Sequence, residues 1–508
     1  MSGPRVGVDV GGTNTDAVVV DEEGTIQGRV KMPSTPDPAD GVIEALEHVT
    51  KGHTIARVAF GTTHALNAIL QRRGLRRVAL IRLGAPGTEA IPPLTGWPAD
   101  LTSAVSAGTW IARGGVEIDG RHVATDRQEL MGIAQAIASA GVASAVAIVG
   151  MFSPLDPVQE RDAAALFSEL TGLAVSIGSD IGGLGLLERE NATVLNAALG
   201  DLVETLAGGL EAVTARLGAR AYITQNDGTL MTLEHARRAP VLTIGAGTSN
   251  SLRGAAQLTG RTDALVIDVG GTSADVGALV RSFPRESAAG VEIGGVKTNF
   301  RMPDLVSVAV GGGTIITTDG SLGVESVGAR LIGEALVFGG TTPTLTDAAV
   351  AAGRAEIGDP ALIDHAGALA GALAEADDRV AGAIDRMRLG ADDVDLIAVG
   401  GGSVLLPDRL AGIRRIERPP DADVANAVGA ALAPVAGEAD FVADMAGDRR
   451  RQELTRATKL AGERAVAAGA HPDALETIWI EEIPLAYVDR PVSRLRAKVA
   501  GPPVEVAR

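Results

Sequence analysis

The sequence predicts an α/β protein built from two duplicated halves, and three observations carry that expectation. A short motif occurs twice, as VGVDVGGTNTD at residues 6–16 and as LVIDVGGTSAD at residues 265–275. Apolar strand-like runs alternate with alanine-rich amphipathic stretches, the pattern of a layered α/β architecture. At 508 residues the chain is also longer than one compact domain.

In each copy of the motif an apolar run leads into Asp-Val-Gly-Gly-Thr-x-x-Asp. A second apolar run follows, Ala17–Val20 or Val276–Val280, so each copy predicts a β-hairpin. Neither copy contains Gly-x-x-x-x-Gly-Lys-Ser/Thr or Gly-x-Gly-x-x-Gly, which argues against a Walker loop and a dinucleotide-binding domain. Between Arg77 and Gly150, short strand signals and Pro-containing turns suggest an inserted subdomain on the substrate side. Amphipathic stretches over Asp126–Ala140, Val158–Thr171, Asn191–Leu217 and Ile363–Met387 predict helices. Val306–Thr314 and Leu396–Ser403 each end an apolar run on three consecutive glycines. After about Pro434 a polar helix is expected over roughly Phe441–Gly469, followed by strands Ile478–Pro484 and Val492–Val499. The expected domains are residues 1–190 with the insertion at about 77–150, residues 191–436, and a small C-terminal unit at 437–508.

Composition bounds the function. Hydrophobic residues at 46% and charged residues at 21% describe a folded globular chain. The 65 glycines are close to twice the usual share of roughly 7%, and without a Gly-X-Y period they serve turns and close backbone approaches. Aromatics at 2% leave an aliphatic core and little capacity for stacking on bases. A net charge of −18 argues against duplex nucleic acid and anionic membrane as partners. It does not prevent nucleotide binding where backbone amides and a metal ion meet the phosphates. The absence of cysteine excludes disulfides, thiolate nucleophiles and Cys-ligated zinc. Neither a leader nor a membrane-length apolar run is evident, so a cytoplasmic location is expected.

A tight Gly-Gly turn flanked by threonine and aspartate suits a phosphate chain, because glycine lets backbone N–H groups approach without a Cβ clash. Thr13, Asn14, Thr15, Thr272 and Ser273 add neutral donors. Asp9 and Asp268 precede the turns and are placed to hold Mg²⁺ through its waters. The plain alternative is a hairpin turn whose Asp and Thr satisfy the backbone. The seven histidines form no His-x-x-x-His or His-Glu-x-x-His pair, so a zinc box is not expected. His64, in Gly61-Thr62-Thr63-His64 ahead of an apolar helix, is a candidate catalytic residue, or an ordinary helix N-terminal residue. Asp227 and Asp347 are candidates for contact with substrate or ions, or else a turn residue and an N-cap.

The duplicated hairpins, the later triple-glycine turns and the α/β alternation resemble the actin, Hsp70 and sugar-kinase superfamily (ribonuclease H-like lobes around a nucleotide cleft). More specific motifs resemble one branch, the hydantoinase/oxoprolinase family in its N-methylhydantoinase A-type subunit. They are FGTTHALNAIL (Phe60–Leu70), LERENATVLNAAL (Leu187–Leu199), ITQNDGTL (Ile223–Leu230), DVGGTSADV (Asp268–Val276), GGTTPTLTDAAV (Gly339–Val350), AVGGGSVLLP (Ala398–Pro407) and DADVANAVGAA (Asp421–Ala431). Asn14 and Ala274 replace the Phe and Thr usual in the family, and Ala335–Gly340 stands in place of its Pro- and Cys-rich stretch.

The resemblance implies ATP and Mg²⁺ as cofactors. Gly11, Gly12, Thr13 and Asn14 would form the first phosphate loop, and Gly270, Gly271, Thr272 and Ser273 the second. Gly400, Gly401, Gly402 and Ser403 would lie against the adenosine, and Asp9 and Asp268 would orient the metal. Asp9, Asp268, Asp275 and His64 would carry the catalytic roles. The implied reaction is ATP-driven opening of a cyclic amide (hydantoin, oxoproline or lactam) by phosphorylation of its carbonyl oxygen, with a B-type subunit as partner. A ketone-activating carboxylase subunit, a small-molecule kinase and a non-catalytic reactivase or filament-forming ATPase are the alternatives.

Overall fold

The computed structural model describes every residue except 1–2, 12, 34–37, 118–119, 288–289, 301, 364–365, 391, 486–490 and 505–508. Both motif copies form hairpins, and the two hairpins are built alike. Arg5–Val10 pairs antiparallel with Asn14–Val20 and parallel with Arg57–Thr62. Ala264–Val269 pairs antiparallel with Ala274–Val280 and parallel with Val394–Val399. Asp9 stands opposite Asp16 in one register, and Asp268 opposite Asp275 in the other. The turns match too: Gly11 N–H donates to Asn14 O and Gly270 N–H to Ser273 O, each at 2.9 Å. The fold is α/β, and each hairpin sits in a sheet of its own with the same pairing pattern.

Residues from distant parts of the chain complete each lobe. The first sheet has nine strands, with Arg220–Thr224 and Leu230–Thr232 joining Arg57–Thr62 although they follow residue 191. The C-terminal strands Val435–Asp444, Val492–Gly501 and Glu476–Pro484 extend the same sheet rather than forming one of their own. Phe441–Asp444, expected to begin a helix, finish the first of these strands. Ala439, Phe441 and Ala443 alternate inward onto Leu495 and Ala497, a period of two that a helix cannot provide. The helix itself spans Arg449–Ala467.

The insertion is larger than expected. Ser106–Arg113, Val78–Ala85, Ala145–Gly150 and Ala174–Ile177 form a four-stranded parallel sheet. A buried, two-pronged Arg82–Glu190 pair, at 2.6 and 2.8 Å, ties that sheet to the helix Leu186–Ala198. The stretch Asn191–Leu217 is two helices, Leu186–Ala198 and Gly200–Leu217.

Between the lobes lie two helices, Ala246–Thr259 and Ala425–Leu432. They touch through bare backbone. A Cβ on Gly254 would run into the carbonyl oxygen of Ala425, and one on Gly429 into that of Asn250. Forcing a methyl into such a contact separates the helices, at a typical cost of about 1–3 kcal/mol. Gly429→Ala should therefore lower the urea midpoint by an amount of that order. Gly208→Ala, where the added atom meets nothing within 4 Å, should not lower it. Equal midpoints for the two variants would remove the close contact as a structural constraint.

Candidate active site

The lobes bring the two hairpins face to face. A Cβ on Gly271 would lie 3.6 Å from Thr13 Cγ2, in ordinary contact, so the second turn looks across a narrow gap at the first. Of the expected loop residues, Gly11, Thr13 and Asn14 stand on one side, and Gly270, Gly271, Thr272 and Ser273 on the other. Gly12 lies outside the described residues. The second turn is braced from behind by the glycine run 311–313, with Gly312 N–H donating to Gly270 O at 3.0 Å and Gly313 N–H to Gly271 O at 2.7 Å.

Behind the turns sit four carboxylates, and one helix serves three of them. From Ala246–Thr259, Thr248 Oγ1 donates to Asp275 at 3.4 Å and Asn250 Nδ2 to Asp9 at 3.3 Å. Ser251 hydrogen-bonds Asp268. Asn426, at the start of the second interlobe helix, donates to both Asp9 and Asp16 at 3.0 Å. Lys31 pairs with Asp16 at 2.7 Å and reaches the Asp423 carbonyl at 2.9 Å, and Ser307 donates to Asp275. Gly61 pairs with Asp9 in the sheet, and a Cβ there would collide with both the Asp9 carboxylate and the Asn250 amide. Asn250 Oδ1 is buried without a hydrogen-bond partner.

Charge is therefore buried with little to offset it. Burial first, then Asp16, pushes the Asp9 carboxyl up to about 6. Burial, helped by Asp275, does the same to Asp268, although Ser251 and Lys31 oppose it. Burial also raises Asp275 against its two hydroxyl donors, and raises Asp16 against Lys31. Among the described residues, no group of three or more His, Asp or Glu side chains converges as a metal cage.

The remaining candidates separate. Gly400, at φ +84, packs against Asp268 and the Val269 backbone, and Gly402 also packs on Val269. Gly401 is open by comparison, its Cβ position meeting only Lys31 Cε at 3.9 Å. Ser403 is buried at the start of the short helix Ser403–Leu405. His64 opens the helix His64–Gln71, its Nδ1 lying 2.5 Å from Thr62 Oγ1. Asp347 closes a capping box with Thr344. Asp227 pairs with buried Lys498 at 2.6 Å and turns its own loop through Thr229. The last two have structural partners.

Asp16, Asn250, Asn426 and Lys31 were missed as site residues. Asp16 was signalled by its place in the repeat, equivalent to Asp275, and Asn426 by its place in DADVANAVGAA. Asn250 and Lys31 carried no local signal, because what they contact is far away in the chain.

The raised carboxyls set a pH dependence. A carboxyl whose folded value exceeds its unfolded value, 3.8 against about 6 here, favours the folded state at low pH. That advantage is lost as pH rises through 6. Asp268→Asn should accordingly raise the unfolding free energy at pH 8 by about 1–3 kcal/mol, and change it little at pH 4. Urea titrations of both proteins at the two pH values check this. A midpoint unchanged at pH 8 would mean that the charge at Asp268 is compensated.

Comparison with known proteins agrees with the motifs. The hydantoinase/oxoprolinase N-terminal region matches residues 5–171, and the hydantoinase/oxoprolinase domain matches residues 189–362. The caprolactamase subunit alpha of Pseudomonas jessenii is 27% identical over 389 residues, covering 69% of this chain and 54% of that one. The acetophenone carboxylase gamma subunit of Aromatoleum aromaticum is 26% identical over 417 residues, covering 68% and 53%. The chain spans about half the length of the curated relatives it matches. Among solved structures, the ATP-dependent caprolactamase of Pseudomonas jessenii superposes with a TM-score of 0.77 at 21% identity, covering 99% of this chain and 89% of that one. Nucleotide-free acetone carboxylase gives 0.69 at 16% identity, covering 100% and 88%. These two likenesses describe the fold. With its motifs and both halves of the family's matched regions in order, the chain belongs to the hydantoinase/oxoprolinase family.

Proposed function

We propose that this chain uses ATP to phosphorylate the carbonyl oxygen of a cyclic amide and so drives ring opening. The observation that carries the reading is the pair of matched hairpins facing across a narrow gap, each backed by a buried carboxylate. Phosphate oxygens suit the turn-tip donors of Thr13, Asn14, Gly271, Thr272 and Ser273, the N–H groups of Gly11 and Gly270 being taken up in closing the turns. Asp9 and Asp268 fit a Mg²⁺ bound through its waters: Asp9 is buried and Asp268 partly so, and only neutral groups donate hydrogen bonds to them. When bound, that ion would neutralise charge building on the phosphates. Gly401 is the residue of its turn with room for the adenosine. The relatives named caprolactamase support the amide class of substrate, and the solved caprolactamase is named as ATP-dependent.

In the proposed reaction the γ-phosphoryl passes from ATP to the amide oxygen as ADP leaves, which makes the carbon electrophilic. Water adds to that carbon, the C–N bond breaks, and the amine leaves with a proton. Hydrolysis of the remaining acyl phosphate releases phosphate. The chain's share is position and charge: the lobes hold nucleotide and carbonyl in line, with Asp275 and His64 as candidates for moving protons. Dependence on ATP makes the cytoplasm the compartment of action; among the described residues no helix is long and apolar enough to cross a membrane. Ketone activation is the second reading, favoured by the acetophenone carboxylase gamma subunit among the relatives. It predicts turnover that requires bicarbonate.

Gly271→Val should abolish ATP-dependent phosphate release while leaving the fold intact, since its side chain enters space where only Thr13 lies within 4 Å. Asp268→Ala should do the same by removing a metal-orienting carboxylate. Activity within about tenfold of the parent in either variant would contradict the phosphate-loop assignment.

A partner is part of the proposal. The relatives named above are an alpha and a gamma subunit, which supports action beside a second, B-type subunit. Assays of this chain, the partner and the mixture, following ring-opened product alongside phosphate, test it. Ring opening by this chain alone would refute the need for a partner, and a stable phosphorylated product would make the chain a kinase.

A further inference from the structure

We infer that the hydrocarbon part of the substrate is seated in an apolar cavity on the outer face of the first sheet, and that the substrate is an uncharged aliphatic ring amide. This rests on the amide-phosphorylation reading above and narrows it. The cavity, about 340 Å³, lies between the sheet and the helices Pro38–Val49 and Gly200–Leu217. Its walls are apolar, with Val42, Phe60, Leu206 and Leu210 the main contributors. One end is formed by Val10, Thr62 and His64.

That end sits where substrate chemistry belongs. Val10 and Thr62 are register partners and share one face of the sheet, while Asp9 and Gly61, also partners, share the other. Both strands finish here, and Val10 directly precedes the first turn. In open α/β sheets, ligands bind at the carboxyl ends of the parallel strands. A ring held against Phe60 therefore carries its carbonyl toward the strand ends, where the turn at Gly11 begins.

The lining also selects. A pocket of mostly apolar walls with a few polar groups at one end fixes a small ligand's orientation. Among the described residues no lysine or arginine lines this one, and the ionisable ones that do are Asp201 and His64. A ring bearing a carboxylate, such as oxoproline, would bury its charge without a counter-ion. An unsubstituted lactam places only methylenes against the walls.

Gly209 supplies the test. It lines the cavity within the helix Gly200–Leu217, and a Cβ there meets nothing within 4 Å, so Gly209→Leu fills the cavity with the backbone unchanged. Gly208→Leu, on the same helix and outside the cavity, is the control. Calorimetric titration of the full chain, with Mg²⁺ and a non-hydrolysable ATP analogue, should show binding of an unsubstituted lactam and little binding of oxoproline. Gly209→Leu should weaken lactam binding by at least about tenfold and leave nucleotide affinity unchanged, and Gly208→Leu should alter neither. Lactam binding that survives in Gly209→Leu overturns the cavity assignment and leaves the function standing. Oxoproline bound as tightly as the lactam overturns the substrate class. A wild-type chain that binds nucleotide but no cyclic amide overturns the function and this inference with it.

Discussion

The site depends on one helix being buried between the lobes while carrying polar side chains. Ser249, Asn250, Ser251 and Arg253 of Ala246–Thr259 are all nearly inaccessible to water. Burying such groups costs free energy unless each finds a partner. Asn250 reaches Asp9 of the first hairpin and Ser251 reaches Asp268 of the second, while Ser249 and Arg253 donate to the carbonyls of Asn226 and Ser282. The helix can do this only because Gly254 and Gly429 let it lie directly on Ala425–Leu432. A wider spacing would draw Asn250 and Asn426 apart, and Asp9 would lose one of its two amide donors.

The four carboxylates differ in how their charge is met. Asp16 has an ammonium at 2.7 Å and an amide at 3.0 Å, so its charge is balanced within the chain. Asp275 has two hydroxyl donors. Asp9 and Asp268 have amide and hydroxyl donors and no cation in contact, and burial raises both to about 6. Asp9, Asp268 and Asp275 thus share neutral donors only, and an external cation would stabilise the charged form of each.

What could be read from the sequence was local, and what could not was relational. A hairpin is written in consecutive residues, so both repeats were legible as hairpins. The first sheet was only partly so, because Leu230 pairs with Val435 and Val435 with Gly501 across long gaps. The polar helix over Phe441–Gly469 was begun too early, since the strand alternation of Ala439, Phe441 and Ala443 is brief and runs into a turn. Asn250 was invisible for a different reason. Its burial comes from two lobes that enclose it, which no run of consecutive residues records.

The duplication also shows where the halves parted. Equivalent aspartates end both repeats, yet Asp16 has acquired Lys31 and Asn426, and Asp275 has acquired Thr248 and Ser307. Lys31 lies on the third strand of the first sheet and also reaches the Asp423 carbonyl, just ahead of the second interlobe helix. That ion pair therefore locks the first hairpin to the start of the helix that carries Asn426. The second hairpin is held by hydroxyls, which reorient at little cost, and by the glycine run that braces its turn. One hairpin is thus fixed by charge to the interlobe layer, and the other is held by neutral donors that can follow a change in its ligand. On the proposed phosphate-loop reading, that asymmetry makes the second turn the one suited to adjust during phosphoryl transfer.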